Sequence, residues 1–470
     1  MFVLPVAAGV MFIFFDPLMV FLITISLYAS LWLVFSPFTA LLLFTVLVAV
    51  RPQEGIGPLE AIHVERLFAL LAILGWGLKA AADRRVRPVN RPIAMWLVAF
   101  VLVCFLSIFT SIWKLGSFNK WSELLKTVVL AFLIAQMVNT PRRLVIFLSV
   151  YAVGSAWMGA ESLRLYFSQG YSYVRMGIMR ATTESASRGD PNSLAASMVI
   201  ASCFAVHLIG SNRNFLWRLC WFAVVAISAV VVVLTGSRAA MLGSLFLLFY
   251  LWATHKKKIV SGIIILLVIV GAWFAMPFQY QQRFLTTFNF NMNPSASESA
   301  MGRVSGFKVG LRILLDRPFL GVGIGNFGVA HGTMYSAAHH TSWLEAHNLF
   351  AQVIGETGLL GLITFAGFVA VSMKAALRLR ASMAGAETEE ERSILALSRA
   401  AFAASLLLLI LGLFGHNMMR YNWYINAGLI SAGLGIANSL KSLPQGKRTE
   451  APQNPEEPED LGPAEGALVT

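Results

Sequence analysis

The chain has 470 residues, of which 57% are hydrophobic and 13% charged, and it carries a formal net charge of +13. Soluble domains average about 25% charged and about 45–50% apolar residues, so this composition excludes an ordinary water-soluble globule and makes lipid the solvent for most of the chain. The positive charge does not point to nucleic acid, because the lysines and arginines are scattered in short loops between apolar runs, which is a signature of membrane topology.

Those runs reach about 17–25 residues, enough to cross a hydrocarbon layer roughly 30 Å thick. They are continuously apolar and do not alternate, which calls for helices and not barrel strands. The first basic residue is Arg51, so the apolar stretch from Phe2 to Phe15 lacks the positive leader of a cleavable signal peptide and is expected to stay as a membrane helix. Residues 2–50 hold two or three segments, broken at Asp16-Pro17 and Ser36-Pro37. The clearer spans follow at 65–82, 93–113, 121–139, 143–159, 193–210, 216–235, 238–254, 259–276, 348–373, 400–418 and 423–440. The expectation is an all-α polytopic membrane protein with about twelve, and up to fourteen, transmembrane helices. Cys104, Cys203 and Cys220 lie inside apolar runs without metal-ligand spacing and read as packing residues.

Orientation follows from the loops that hold excess cations. When the spans alternate, Arg84, Arg85, Arg87 and Arg91, then Arg142 and Arg143, Arg213 and Arg218, Lys256 to Lys258, and the basic stretch 374–399 fall on one side, the cytoplasm. The tail 441–470, with its PQNPEEPEDLGPAEG stretch, falls there too and reads as disordered. The chain thus divides into a transmembrane domain over 1–440, a periplasmic loop over 277–347 inserted in it, and the tail. The outward face also holds residues 160–192 and the short turns near Gly236-Ser237 and His416 to Asn422. Loops longer than about 12–15 residues are uncommon unless they serve a function, so the chemistry is to be sought on this face.

Within the second loop, Gly302 to Leu315 places Val304, Phe307, Leu311 and Leu314 or Leu315 on one helical face, as in a helix lying along a membrane surface. Asp316-Arg317-Pro318 should end it, and Gly321, Gly323 and Gly325 should form a tight turn. GVGIGN is a poor dinucleotide fingerprint, because no strand-helix unit surrounds it and it faces the wrong compartment.

Arg238 interrupts apolar sequence running from about Leu219 to Trp252 on the side where anchoring cations are not favoured, which argues for a function beyond anchoring. The first outward loop adds Arg164, Arg175, Arg180 and Arg188, and the second adds Arg283, Arg303, Lys308, Arg312 and Arg317. So many guanidiniums on one face suit an anionic ligand, since the guanidinium fork matches phosphate. Asp190, before Pro191, reads first as a helix N-cap. His347, between the long loop and a span, can act as a general base or simply cap that helix. Asn348 follows it, and Glu356 lies about two turns into the same span, where a carboxylate asks for an Arg or His partner. His331, His339 and His340 raise a metal-site alternative that lacks a carboxylate or thiolate set at ligand spacing.

Taken in order, Thr235-Gly236-Ser237-Arg238-Ala239-Ala240, Arg303, the segment DRPFLGVGIGNF, Ala346-His347-Asn348 and Gly355-Glu356-Thr357-Gly358 resemble the O-antigen ligase family, which also includes O-antigen polymerases and protein O-oligosaccharyltransferases. The resemblance implies a GT-C-like membrane glycosyltransferase of the bacterial inner membrane that needs no cofactor or metal. It implies an undecaprenyl diphosphate-linked glycan as donor and, in the ligases, the lipid A core of lipopolysaccharide as acceptor. By position, Arg238 and Arg303 match the family's diphosphate-engaging arginines and His347 its catalytic histidine. Arg188, Arg180, Arg312, Asn348 and Glu356 complete the candidate substrate-binding set. RPQEGIGPLEAIHVERLFAL resembles a branch labelled exosortase-associated O-glycosylation ligase, which leaves the acceptor open among lipid, protein and glycan. A lipid or glycan transporter is the rival from another class; it calls for mid-span charges and repeated halves, neither of which the sequence displays.

Overall fold

The computed structural model describes residues 17–55, 63–83, 89–168, 173–175, 178–184, 189–211, 214–288, 294–335 and 343–442. The first apolar stretch and the tail from 443 onward lie outside the described residues. The chain is an all-α polytopic membrane protein with one small hairpin. Its helices are α1 (Pro17–Phe35), α2 (Pro37–Ala49), α3 (Val64–Asp83), α4 (Arg91–Leu106), α5 (Lys114–Met137) and α6 (Pro141–Ser168). The antiparallel hairpin of β1 (Tyr173–Arg175) and β2 (Ile178–Arg180) follows, pairing Val174 with Met179. Then come α7 (Pro191–Leu208), α8 (Phe215–Leu234), α9 (Arg238–Thr254), α10 (Lys258–Ala275), α11 (Phe278–Leu285) and α12 (Pro294–Asp316). A short α13 (Phe327–Ala330) precedes α14 (Leu349–Ser382), α15 (Glu389–Gly412) and α16 (Tyr421–Ser442).

Helix boundaries follow the prolines. α1, α2, α6, α7 and α12 each begin on one, where the missing N–H costs nothing and φ is preset. At Ser36-Pro37 the chain turns by 111° between Ile25–Phe35 and Pro37–Ala49, so the expected break is real. Six described helices combine the length and hydropathy of a membrane crossing, or seven with that bent pair counted as one span. The expectation of twelve to fourteen counted more polar or shorter segments as well. α4 and α9 are apolar but only 16 and 17 residues long. α16 is long enough at 22 residues but falls short in hydropathy; its residues from Tyr421 to Gly433 are all buried, and the helix packs against α5, α14 and α15. At the other extreme, Ser261 is the one buried residue of α10.

α14 carries the structural joint of the molecule. At Gly358 the backbone leaves the helical region (φ 65°, ψ −162°), a conformation open essentially to glycine alone, and the break frees carbonyls that would otherwise bond within the helix. The segment 318–325 takes them up: the Val322 amide donates to Gly355 O at 2.9 Å and the Gly323 amide to Glu356 O at 3.0 Å, while Leu359 N returns a bond to Pro318 O at 2.7 Å. Gly321, Gly323 and Gly325 all have positive φ, and a Cβ at Gly321 would strike the Gly355 carbonyl. The glycine run is therefore a tight irregular turn, as expected. On its other side Asn326 Nδ2 donates to Ser111 Oγ at 2.6 Å and Ser117 Oγ to Ile324 O at 2.8 Å, tying the turn to the α4–α5 connection.

Glu356 departs from expectation. Among the described residues no Arg or His partners it; its Oε2 accepts from the Gly325 amide at 2.8 Å and its Oε1 from Gln352 Nε2 at 3.4 Å. α12 ends at Asp316 as expected but begins at Pro294, earlier than Gly302. Its predicted apolar face is outward: Val304, Phe307, Leu311 and Leu315 are exposed, the last to 81%. A second face, with Gly306, Val309, Gly310 and Ile313, packs on the start of α14, where the two glycines let the backbones approach.

Candidate functional site

The ends of α7, α8, α9, α14, α15 and α16 that carry the outward-loop residues converge at one end of the bundle. The turn from α8 to α9 is the most heavily braced part. Thr235 closes α8, and its carbonyl accepts from Arg180 Nε at 2.5 Å. Gly236, at φ 56°, offers its carbonyl to Arg283 Nε at 2.7 Å, and a Cβ there would meet the Arg283 side chain. The Ala181 amide reaches Leu234 O at 2.9 Å, and Tyr280 joins Met179 O to the Tyr166 hydroxyl. Two arginines and a tyrosine ladder thus fix the turn that launches α9.

Arg238 is the first residue of α9, and among the described residues its guanidinium is held only by long bonds to Thr286 O (3.4 Å) and Thr286 Oγ1 (3.3 Å). A cation at the positive end of a helix is unfavourable by itself, and both features favour an anion at the same point. Arg303, half-buried on α12, is its electrostatic neighbour: burial and then the Arg238 charge lower the Arg303 pKa. Among the described residues neither guanidinium pairs with a carboxylate.

His347 stands next in line. Its backbone is left-handed (φ 46°), uncommon for a residue other than glycine, and Asn348 caps α14 by accepting from the Ala351 amide at 3.1 Å. Asn348 Nδ2 also donates to Leu413 O at 3.1 Å, which fixes the His347 turn against the end of α15. There the His347 ring lies 5.6 Å, centroid to centroid, from the ring of His416, tilted by 53°. Burial, His416 and Arg303 push the His347 pKa down to about 4, with Glu345 and Asp190 opposing. At neutral pH the imidazole is uncharged and free to accept a proton.

His416 belongs to the turn between α15 and α16. The residue is exposed at the surface, while desolvation by the surrounding protein lowers its pKa; Asp190 acts to raise that pKa and Arg420 and Lys120 to lower it. Arg420 Nη1 bonds Ser193 O at 3.0 Å and Ser197 Oγ at 3.3 Å, securing this turn to α7. Asp190 caps α7, accepting from Asn192 N and Ser193 N at 3.0 Å each. Arg238, Arg303, His347, His416 and the Asp190–Arg420 group therefore form one chain of electrostatic neighbours.

Residues 222–366 match the family described as O-antigen ligase. The chain carries a domain of the O-antigen ligase family. No curated protein matches it. The apolar helices make the chain a multi-pass membrane protein, and the family matched over residues 222–366 is one of membrane glycosyltransferase-like enzymes of the ligase or polymerase type, whose partners in general are lipid-linked glycan and lipid A core. The O-antigen ligase match contains Arg238, Arg303, His347 and every glycine of the α14 joint, while Asp190 and His416 lie outside it.

The remaining candidates fall in different places around the O-antigen ligase domain. Arg188, His339 and His340 lie outside the described residues. Arg180 is 3% exposed, and besides Thr235 it bonds Asn192 Oδ1 at 2.9 Å, so it acts as a strut behind Arg238. Arg312 is exposed and sits nine residues beyond Arg303, which at about 100° per residue is half a turn round the helix. Asn348 is a cap, and Glu356 holds the glycine turn. His331 is buried, and among the described residues no three His, Cys, Asp or Glu side chains gather as a metal site. His416 and Arg420 escape the sequence reading, although the argument that singles out Arg238, a cation in an outward turn, applies equally to Arg420.

Proposed function

We propose that the chain is a metal-independent O-antigen ligase that transfers a preassembled glycan from undecaprenyl diphosphate to the lipid A core of lipopolysaccharide at the periplasmic face of the bacterial inner membrane. The observation that carries this reading is that the stretch matching the O-antigen ligase family encloses His347 together with Arg238 and Arg303, neither of which pairs with a carboxylate among the described residues.

The reaction is a displacement at the anomeric carbon. An acceptor hydroxyl gives its proton to His347 as its oxygen bonds to the sugar carbon, and the bond from that carbon to the diphosphate oxygen breaks with its electron pair leaving on the diphosphate. Arg238 and Arg303 meet the growing negative charge. Each such preorganised donor is worth about 3–4 kcal/mol in comparable sites, and proton transfer to a placed base about 10²- to 10⁴-fold. A base next to a dianion tends to be protonated by it, and the environment that depresses the His347 pKa offsets that tendency. The apolar outward face of α12 suits a helix lying on the membrane, above the lipid tail of the donor.

The test uses the full chain in detergent with undecaprenyl diphosphate-linked glycan and lipid A core, without nucleotide and with a chelator. Transfer by the wild type that falls by about 10²-fold or more in Arg303→Ala and in His347→Ala supports the reading. Glycan lengthening on its own lipid carrier supports a polymerase instead. No transfer to lipid A core and no lengthening refutes both.

A further inference from the structure

Next to His347 lies a cluster that the chemistry above does not use. Arg303 has Arg238 as its charged neighbour; His347 has Arg303 on one hand and His416 on the other; His416 has Asp190, Arg420 and Lys120. The base therefore has two unlike sets of charged neighbours. The first is two guanidiniums without carboxylates, suited to a diphosphate. In the second, Asp190 balances Arg420, and Lys120 has its own partner in Glu123 at 3.0 Å.

The geometry points to a second subsite, formed by His416, Asp190 and Arg420, that binds a hydroxyl-rich glycan as the acceptor; this deepens, and rests on, the transferase reading. Three observations support it. The His416 ring packs 5.6 Å from that of His347, so a ligand touching one is within reach of the other. Both Asp190 and His416 are open to solvent, although the surrounding protein is close enough to affect the titration of His416. Finally, the three elements are locked in register, by Arg420 on Ser193 and Ser197 and by Asn348 on Leu413 O. Sugar hydroxyls both donate and accept. A neutral imidazole does the same, a carboxylate accepts, and a guanidinium donates, so the three together match a diol; Asp190 Oδ1 still has a lone pair beyond its bond to Asn192 N. The near-cancelled charge does not favour a second diphosphate.

The test is equilibrium binding to the full chain in nanodiscs, with delipidated lipopolysaccharide core oligosaccharide and undecaprenyl diphosphate as separate probes. Asp190→Asn keeps the helix cap, because Asn caps as well as Asp. It and His416→Ala should each weaken oligosaccharide binding by about tenfold, equivalent to about 1.4 kcal/mol, while undecaprenyl diphosphate binding stays within about twofold and the melting midpoint is unchanged. The subsite is overturned if oligosaccharide binding is the same in both variants, if undecaprenyl diphosphate is the probe that weakens, if a Ser/Thr peptide binds there in place of the oligosaccharide, or if the wild type does not bind the oligosaccharide at millimolar concentration. Absence of transfer by a wild type that shows the expected binding pattern would sink the transferase reading and leave the glycan subsite standing.

Discussion

Gly325 donates its amide to Glu356 Oε2 across 2.8 Å, so a loop glycine satisfies a carboxylate that is only 1% exposed inside a spanning helix. Glu356→Ala would leave that amide and the Gln352 side chain without their acceptor, each costing about 1–3 kcal/mol. The expected result is a lower unfolding midpoint in detergent, with a smaller loss for Glu356→Gln, which keeps one acceptor oxygen. Equal midpoints for the Ala variant and the wild type would count against the joint.

The His347 pKa of about 4 lies below its ordinary value near 6.5, so between these the unfolded chain binds a proton that the folded chain does not. This contribution to stability is fully present above about pH 6.5 and is lost as pH falls toward about 4. The lowered His416 pKa adds in the same direction. Unfolding midpoints measured from pH 7.5 downward should fall less steeply for His347→Gln than for the wild type. In the transfer assay, the acid limb at saturating donor should lie about one pH unit above that at limiting donor, because bound diphosphate favours the imidazolium. Superimposed limbs would argue that the anion binds elsewhere.

Gly358→Ala should be severe and Gly435→Ala mild or favourable. At Gly358 the side chain would need a glycine-only conformation, about 1–3 kcal/mol, and its Cβ would strike the Phe319 carbonyl. Gly435, inside α16, has open space where a Cβ would sit, and replacing a helical glycine gains about 0.5–1 kcal/mol. Melting of the two variants side by side checks both signs.

Arg180→Ala removes the strut on Thr235 and leaves a buried carbonyl unpaired, at about 1–3 kcal/mol. Arg238 starts the helix that this turn launches, so weaker undecaprenyl diphosphate binding should accompany the stability loss. A variant that melts early but binds donor like the wild type would make Arg180 purely structural.

Much of this architecture is legible in the sequence because it is local. Prolines mark the starts of α2 and α7, Asp316 ends α12, and the alternation of spans puts Arg238, Arg303 and His347 on one face before any contact is known. What is not legible is nonlocal. The 68 residues between His347 and His416 contain a complete helical hairpin, and only the packing of α14, α15 and α16 brings the two rings together. Glu356 defeats a sequence reading for a related reason: hydropathy shows that a carboxylate lies in a span but not that the glycine turn packed on a broken helix supplies it with the Gly325 amide, and Arg180 looks like any loop arginine until Thr235 is seen beneath it.

α10 buries almost nothing of itself in its own protein and touches α9 around Trp252, so most of its surface is left to the lipid. It leads directly into α11, whose Arg283 grips the Gly236 carbonyl at the base of Arg238. The surrounding bilayer is thus a structural component of the arginine pair, and the choice of solubilising medium becomes a choice about whether that pair stays aligned.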